Sequence, residues 1–302
     1  MNSQVLIHVG LHKTGTTWLQ RWMAAHPSIA YRLDSFGGIQ RPVDICRSAM
    51  ADQPRWYAIS DENLTGGRVW PEGYTSLLLR HAGLHQQPTG IPEHLRRVAD
   101  QLHAMFPQAT ILITTRGFAG ALRSSYSQVI RLGGDQTFEE YLESYSEFIS
   151  DWLDLNAVIE TYRSRFKNVL ILPYEILSED EARYERLLQE FLDLPPTALP
   201  IGRVYPSLTA LQLVAYRRFS RIWLKPLITR LSWHRASTLY LAYAAWIVDR
   251  PWCDALIKLV HAPRRQYPAI KVTADTLERF RGKASLLAND PLYSPYKTDY
   301  LN

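Results

Sequence analysis

The sequence predicts a three-layer α/β protein, in which helices cover both faces of a central parallel sheet. Four short runs rich in β-branched or aromatic residues carry this prediction, and helical patterns lie between and after them. Each run is almost continuously apolar, which is typical of strands buried on both faces. The runs are VLIHV (5–9), WYAIS (56–60), TILITT (110–115) and VLIL (169–172). Strands that alternate with helices favour parallel pairing through right-handed crossovers.

The helical patterns have start and stop signals. The run TTWLQRWMAA (16–25) predicts a helix that Pro27 ends. The stretch TFEEYLESYSEFISDWLDLNAVIETY (137–162) opens with a capping box formed by Thr137 and Glu140. Its apolar residues then recur at steps of three and four, which predicts an amphipathic helix along this stretch.

After about residue 196 the β signal fades, and three apolar stretches predict helices. They are LTALQLVAYRRFSRIWL (208–224), LYLAYAAWIV (239–248) and WCDALIKLVH (252–261). The run at 239–248 is too short to span a bilayer, which takes about 20 residues. A buried helix is therefore favoured there, and an interfacial helix with peripheral membrane contact stays open as the alternative.

The domain organisation follows from the same patterns. No Gly/Ser-rich linker separates the helical region from the strands, so we predict one domain over residues 1–302. Residues 1–195 would form the α/β nucleotide-binding core, and residues 196–302 a helical elaboration. Aromatic side chains of that elaboration would mostly be core, with the lining of an acceptor cleft as the alternative. They are Trp223, Trp233, Tyr240, Tyr243, Trp246 and Trp252.

Composition and charge exclude several classes of protein. The 302 residues are 46% hydrophobic and 12% aromatic, which excludes a disordered chain. The net charge of +5 suits an anionic ligand and is too weak to indicate nucleic acid by itself. Cys46 and Cys253 lack metal-ligand or redox spacing, and no signal-peptide pattern precedes the first strand. We therefore expect a cytoplasmic protein with free thiols.

The stretch HVGLHKTGTTWLQ (8–20) has the glycine spacing of a phosphate-binding loop, with its lysine displaced. Gly10 and Gly15 keep the spacing, but Lys13 stands ahead of the second glycine. The loop follows a predicted strand and opens a predicted helix, where backbone N–H groups and the helix dipole favour an anion. The hydroxyls of Thr14, Thr16 and Thr17 add hydrogen-bond donors. The sequence therefore predicts a P-loop-like fold with an anion site at this loop.

The third predicted strand ends in ILITTRG and delivers Arg116. A P-loop enzyme that transfers phosphoryl groups needs a carboxylate near this position to hold Mg²⁺. A cation there indicates a second anionic group, so no metal is expected. A P-loop kinase with a rearranged lysine remains the alternative enzyme, and a nucleotide-binding scaffold the alternative without catalysis.

The motif KTGTTWLQ (13–20) resembles the 5′-phosphosulfate loop of the sulfotransferases, which use 3′-phosphoadenosine 5′-phosphosulfate (PAPS). RGFAGALRS (116–124) is similar to the family's second motif, an arginine at a strand end followed by a serine eight residues later. The resemblance implies that Arg116 and Ser124 bind the 3′-phosphate, and that Trp18 and Tyr174 lie near the adenine. The implied set of PAPS-binding residues is Lys13, Thr14, Gly15, Thr16, Thr17, Trp18, Arg116, Ser124 and Tyr174.

The likeness is closer to bacterial, carbohydrate-type sulfotransferases than to cytosolic phenol and steroid enzymes. The cytosolic enzymes carry a C-terminal R-K-G-x-x-G segment, which is missing from this chain. The nearest basic stretches are RFRGKAS (279–285) and HAPRRQ (261–266). The third wall of the 3′-phosphate pocket therefore has no assigned residues.

Sulfuryl transfer to a hydroxyl needs a base, and the segment after the second strand supplies the candidate. ISDENLTGG (59–67) lies at the carboxyl edge of a parallel sheet, where ligands bind. Glu62 is the predicted base, as in carbohydrate-type relatives, with Asp61 and a simple helix-capping role as alternatives. His12 is a candidate contact to the sulfate or acceptor, and His8 is expected in the core. The acceptor would be a carbohydrate or glycoconjugate, with a glycolipid or small molecule left open.

Overall fold

The computed structural model describes residues 4–31, 54–65, 90–199, 201, 207–248, 250–260 and 269–301. Within this part of the chain, five parallel strands form one sheet in the order β2–β3–β1–β4–β5. The strands are β1 (Gln4–Gly10), β2 (Ile29–Ala30), β3 (Trp56–Ser60), β4 (Thr110–Thr115) and β5 (Asn168–Pro173). The predicted α/β fold class and all four predicted strands are confirmed. β2 was missed because two residues are too short to show a pattern.

Helices follow each of the long strands and fill the C-terminal part. They are α1 (Thr16–Ala25), α2 (Ile91–Met105), α3 (Phe118–Arg131), α4 (Phe138–Ser144), α5 (Ser146–Trp152), α6 (Leu155–Arg163), α7 (Tyr174–Glu179), α8 (Glu181–Phe191), α9 (Ala210–Phe219), α10 (Lys225–Arg230), α11 (Trp233–Trp246), α12 (Pro251–Val260), α13 (Ala274–Glu278) and α14 (Lys297–Tyr300). No described helix is long and apolar enough to cross a membrane.

The strand register places four strand ends at one edge of the sheet. β1 pairs with β4 through Gly10 and Thr114, and with β3 through His8 and Ser60. β4 pairs with β5 as far as Thr115 and Pro173. The segments that leave these ends are therefore neighbours, although they lie far apart in the sequence.

The stretch 137–162 forms three helices, which corrects the prediction of a helix along its whole length. The predicted capping box of Thr137 and Glu140 is present at the start of α4. The backbone leaves helical geometry at Tyr145 and turns again at Asp154, whose carboxylate accepts a hydrogen bond from Ala157 N–H and caps α6. The apolar period continues across both breaks because all three helices bury one side against the same core.

The C-terminal region is helical, as predicted, and it contains a long rod. α9 runs through a π-turn (Ser220–Leu224) into α10 with helical backbone at both junctions. Pro226 lacks an N–H for the ladder, and such a loss is a recognised cause of local rewinding. Tyr240 and Tyr243 lie in a second, smaller core cluster, whereas Trp223, Trp246 and Trp252 are exposed.

Candidate anion-binding site

The loop between β1 and α1 has the backbone of an anion cradle. Lys13 and Gly15 both adopt positive φ angles, 70° and 83°. A Cβ on Gly15 would lie 2.6 Å from Leu177 and 3.0 Å from Tyr174. Both the positive φ angle and these close contacts therefore require glycine at position 15. α1 has no side-chain cap and no acidic residue in its first turn. Its first N–H groups and positive dipole end are consequently available to an anion.

The three loop threonines have different roles. Thr14 is buried, and its hydroxyl donates to the Leu11 carbonyl at 2.6 Å while lying 2.7 Å from Thr114 Oγ1. These contacts hold the loop to β4 through the Thr14 hydroxyl, and the predicted contact of Thr14 with the anion stays a prediction. Thr16 is also buried, but within the described residues its hydroxyl has no hydrogen-bond partner. A buried hydroxyl without a partner is costly, so a ligand oxygen at Thr16 would satisfy it.

Arg116 extends from the end of β4 across to the loop. One guanidinium nitrogen donates to the Lys13 carbonyl at 2.8 Å, and the guanidinium lies 4.5 Å from the centre of the Tyr174 ring. Burial lowers the pKa of Arg116, and the neighbouring Tyr174 acts against this effect. Arginine stays protonated in proteins, so the site retains a buried positive charge beside the loop.

Ser124 lies on the side of α3 that faces Arg116. A Cβ added to Gly120 would lie 3.0 Å from the Nε atom of Arg116, so Arg116 lies directly against Gly120. Ser124 is four residues after Gly120 and therefore lies on the same face of α3. Ser124 is buried. The structure thus brings the two predicted 3′-phosphate ligands to the same side of α3.

The two predicted adenine contacts lie in different surroundings. Tyr174 sits beside the loop under the Arg116 guanidinium, next to Gly15. Trp18 is buried, donates its ring N–H to Glu181 at 2.9 Å and packs against Tyr184. Both adenine contacts stay predictions, and stacking on Trp18 would require its ring to be uncovered.

Glu62 and His12 form a close pair at the sheet edge. Glu62 begins a short 3₁₀ helix after β3, and its Oε2 atom lies 2.5 Å from His12 Nδ1. An ionised carboxylate only accepts, so Nδ1 carries the proton in this pair. Within the described part, the buried Nε2 atom of His12 has no partner. Burial, followed by the negative charge of Asp61, raises the pKa of Tyr31. Asp61 stays the alternative candidate for the base.

His8 supports the site from the core, as the sequence predicts. Its ring nitrogens lie 2.8 Å from Ser60 Oγ and 3.0 Å from Thr114 Oγ1. Burial lowers the pKa of His8 to about 3, although the Glu62 charge acts in the opposite direction. The neutral ring therefore links β1, β3 and β4 to the loop through Thr114 and Thr14.

Sequence reasoning missed a carboxylate that joins α3 to the C-terminus. Glu175 accepts from Gly117 N–H at 3.0 Å and from the Tyr300 hydroxyl at 2.7 Å. Burial raises the pKa of Glu175, and its hydrogen bond with Tyr300 opposes that rise. Thr115 Oγ1 lies 2.6 Å from the Tyr293 hydroxyl. Glu175 directly follows Tyr174, the predicted adenine contact, but its C-terminal partners could not be predicted from the sequence.

Two basic residues of the stretch 279–285 contact other residues of the protein. Lys283 donates to Ser150, and Arg281 pairs with Glu278. Phe280 instead stacks on Phe118 at the start of α3. The stretch 261–266 lies outside the described residues. Across the described ranges, no group of three His, Cys, Asp or Glu side chains could hold a metal ion.

The fold and site define an α/β protein with an anion cradle at the carboxyl edge of a parallel sheet. A sequence model of the sulfotransferase family matches residues 6–198, more than half of the chain. The protein therefore belongs to the sulfotransferase family. No curated protein matches its sequence.

The solved structures that are similar to this chain include two sulfotransferases. A sulfotransferase from Alicyclobacillus acidocaldarius has a TM-score of 0.49 and 17% identity, covering 78% of this chain and 100% of that one. Mouse sulfotransferase SULT7A1 complexed with PAP has a TM-score of 0.45 and 12% identity, covering 100% of this chain and 91% of that one. Family membership rests on the sequence match.

Proposed function

We propose that this protein transfers a sulfuryl group from PAPS to an acceptor hydroxyl. The observation that carries the proposal is the pair of cationic positions at one sheet edge, Lys13 in the loop and Arg116 at the end of β4. They suit a nucleotide with phosphate groups at both its 5′ and 3′ positions. Family membership supports the transfer chemistry.

In the proposed reaction, the acceptor oxygen attacks sulfur opposite the bridging oxygen. The bond between sulfur and that oxygen breaks, and its electron pair remains on the phosphate of the leaving 3′,5′-bisphosphate. Lys13, the N–H groups of α1 and the hydroxyls of Thr16 and Thr17 would stabilise this developing charge. Arg116 and Ser124 would hold the 3′-phosphate, which distinguishes PAPS from ATP.

The acceptor proton would go to the pair of Glu62 and His12. The sequence predicts Glu62 as the base, with Asp61 as the alternative, and the short contact of Glu62 with His12 supports a role for the two together. Because Glu62 accepts a hydrogen bond from Nδ1–H, the lone pair on Nε2 faces away from the carboxylate and can take a proton. A carboxylate in the base also underlies our proposal that the acceptor is a carbohydrate or glycoconjugate.

The cytoplasmic location also stays a proposal, based on the cysteine pattern of the sequence. Cys253 is a buried free thiol. Cys46 lies outside the described residues.

Calorimetric titration with adenosine 3′,5′-bisphosphate tests the donor assignment. We expect binding that is tighter than that of ADP or Mg²⁺–ATP. Arg116→Lys should weaken it about 10- to 100-fold, because a charge-assisted bidentate contact contributes about 1.5–3 kcal/mol. Arg163→Lys is the matched control, since Arg163 is exposed at the end of α6, and it should leave the affinity unchanged. Tighter binding of Mg²⁺–ATP than of the bisphosphate would favour the kinase alternative.

A further inference from the structure

The helical segment 207–260 carries an unusual share of the molecule's positive charge. It contains eight Lys or Arg residues against two Asp and no Glu, a formal charge of +6, while the whole chain carries +5. The remainder of the chain is therefore close to neutral. A charge concentrated in one helical segment produces a local positive potential that attracts anionic partners.

The same segment exposes most of the large hydrophobic side chains found exposed in the described ranges. Outside it, these are Met105, Phe191 and Leu286. Trp246 is 71% exposed and Leu259 is 75% exposed. The exposed members of the segment are Ile222, Trp223, Leu227, Trp246, Trp252, Leu256 and Leu259.

Two helices each arrange such side chains in a row. On α12, Trp252, Leu256 and Leu259 follow steps of four and three, while Cys253 and Ile257 form the buried side. This helix is therefore apolar on both sides. A helix needs only one apolar face to pack in a soluble fold, so the second face indicates another apolar environment.

The rod formed by α9 and α10 repeats the pattern. Trp223 and Leu227 are four residues apart and exposed, whereas Leu224 and Ile228 on the next row are buried. Arg221 and Arg230 are exposed on the same rod. Exposed tryptophan and leucine beside arginine are the composition of helices that lie in a membrane interface.

We propose that segment 207–260 docks on the surface of an anionic lipid membrane. The charge of this segment argues against a second copy of the chain as its partner, because two surfaces with this positive charge repel each other. Aliphatic rows have no role in binding a nucleic acid backbone, but they enter the boundary between head groups and acyl chains. The basic residues add attraction to anionic head groups, about 1 kcal/mol for each residue near the surface. The segment contains none of the loop residues and none of the residues assigned to the proposed transfer reaction.

Sedimentation with lipid vesicles tests the proposal. We expect the full chain to pellet with vesicles of phosphatidylcholine and phosphatidylglycerol, and to remain in solution with phosphatidylcholine alone. Raising the salt should weaken the binding, because screening shortens the range of charge attraction. Arg218→Gln/Arg221→Gln/Arg230→Gln should reduce vesicle affinity about 100-fold, as expected from three basic residues.

Apolar variants separate insertion from charge attraction alone. Trp223→Ser/Leu227→Ser and Trp252→Ser/Leu259→Ser should each reduce affinity at least about tenfold. Met105→Ser/Phe191→Ser is the matched control, since both residues are exposed outside the segment, and it should bind like the unmodified protein. An unchanged melting temperature would establish that each variant folds. Absence of pelleting, equal pelleting with neutral vesicles, or self-association without lipid binding would overturn the proposal.

Discussion

Glu62 and His12 show how one contact changes the interpretation of a site. The sequence places Glu62 after β3 and His12 in the loop, 50 residues apart, and predicts a possible role for each. Only the register of β1 with β3 brings them to 2.5 Å. The pair acts as one base in the proposed reaction, with the carboxylate orienting the ring and the ring accepting the proton.

Substitutions at these two residues should lower kcat without weakening donor binding. We expect Glu62→Gln and His12→Gln each to lower kcat about 10²- to 10⁴-fold, the usual contribution of a general base. The affinity for adenosine 3′,5′-bisphosphate should stay within about twofold, as measured by calorimetry. Normal turnover in either variant would show that the pair is not the base.

At the scale of single residues, the sequence predicted positions better than bonds. Lys13 and Arg116 could be assigned to one sheet edge because parallel strands end together there. The hydroxyl of Thr14 looked like a ligand, yet it bonds to Leu11 and contacts Thr114. The hydrogen-bond partner of such a hydroxyl depends on side chains from strands that are distant in the sequence, and a local sequence pattern contains no information about them.

At the scale of elements, the C-terminal helix α14 stabilises the start of α3. Tyr300 donates to Glu175, and Glu175 accepts from Gly117 at the beginning of α3. Gly117 itself lies against Asp299, where an added Cβ would come within 2.6 Å of the Asp299 Cβ. The C-terminal helix thereby holds the start of the helix that carries Ser124.

Tyr300→Phe should weaken binding of the bisphosphate about three- to tenfold, because one hydrogen bond that positions α3 is lost. Tyr296→Phe is the matched control, since the Tyr296 hydroxyl bonds to Glu179 at 2.8 Å and not to Glu175. Thermal melting should show that each variant is destabilised. Calorimetry should show that only Tyr300→Phe loses affinity for the bisphosphate. Equal losses in both variants would show that the hydrogen bond between Tyr300 and Glu175 contributes to stability but does not position α3 for binding.

The elements that the sequence predicted least well are those with continuous apolar periodicity. Residues 137–162 kept a helical period across two chain turns, because α4, α5 and α6 share one core. The apolar periodicity of a sequence shows which side of a helix is buried, but it does not show where the helix axis changes direction. The cap at Asp154 was visible as a residue type, but an aspartate within a helical pattern is ambiguous.

At the scale of the whole molecule, the strands and the site edge were predictable, and the exposure of the apolar side chains in the C-terminal region was not. Buried parallel strands leave a strong signal because both faces are apolar. The exposed rows of segment 207–260 have the same composition as a core helix. Only the structure distinguishes Tyr240, which is buried, from Trp246, which is exposed.

The central claim is that the loop and Arg116 together serve a PAPS-dependent transfer. Incubation with ³⁵S-labelled PAPS and a panel of carbohydrate acceptors tests it most directly. We predict label transfer to a hydroxyl, with Lys13→Ala lowering the rate about 10²- to 10³-fold through lost charge stabilisation. Lys167→Ala, at an exposed position before β5, should leave the rate unchanged. Full transfer by Lys13→Ala, or phosphoryl transfer from Mg²⁺–ATP without any transfer from PAPS, would contradict the account.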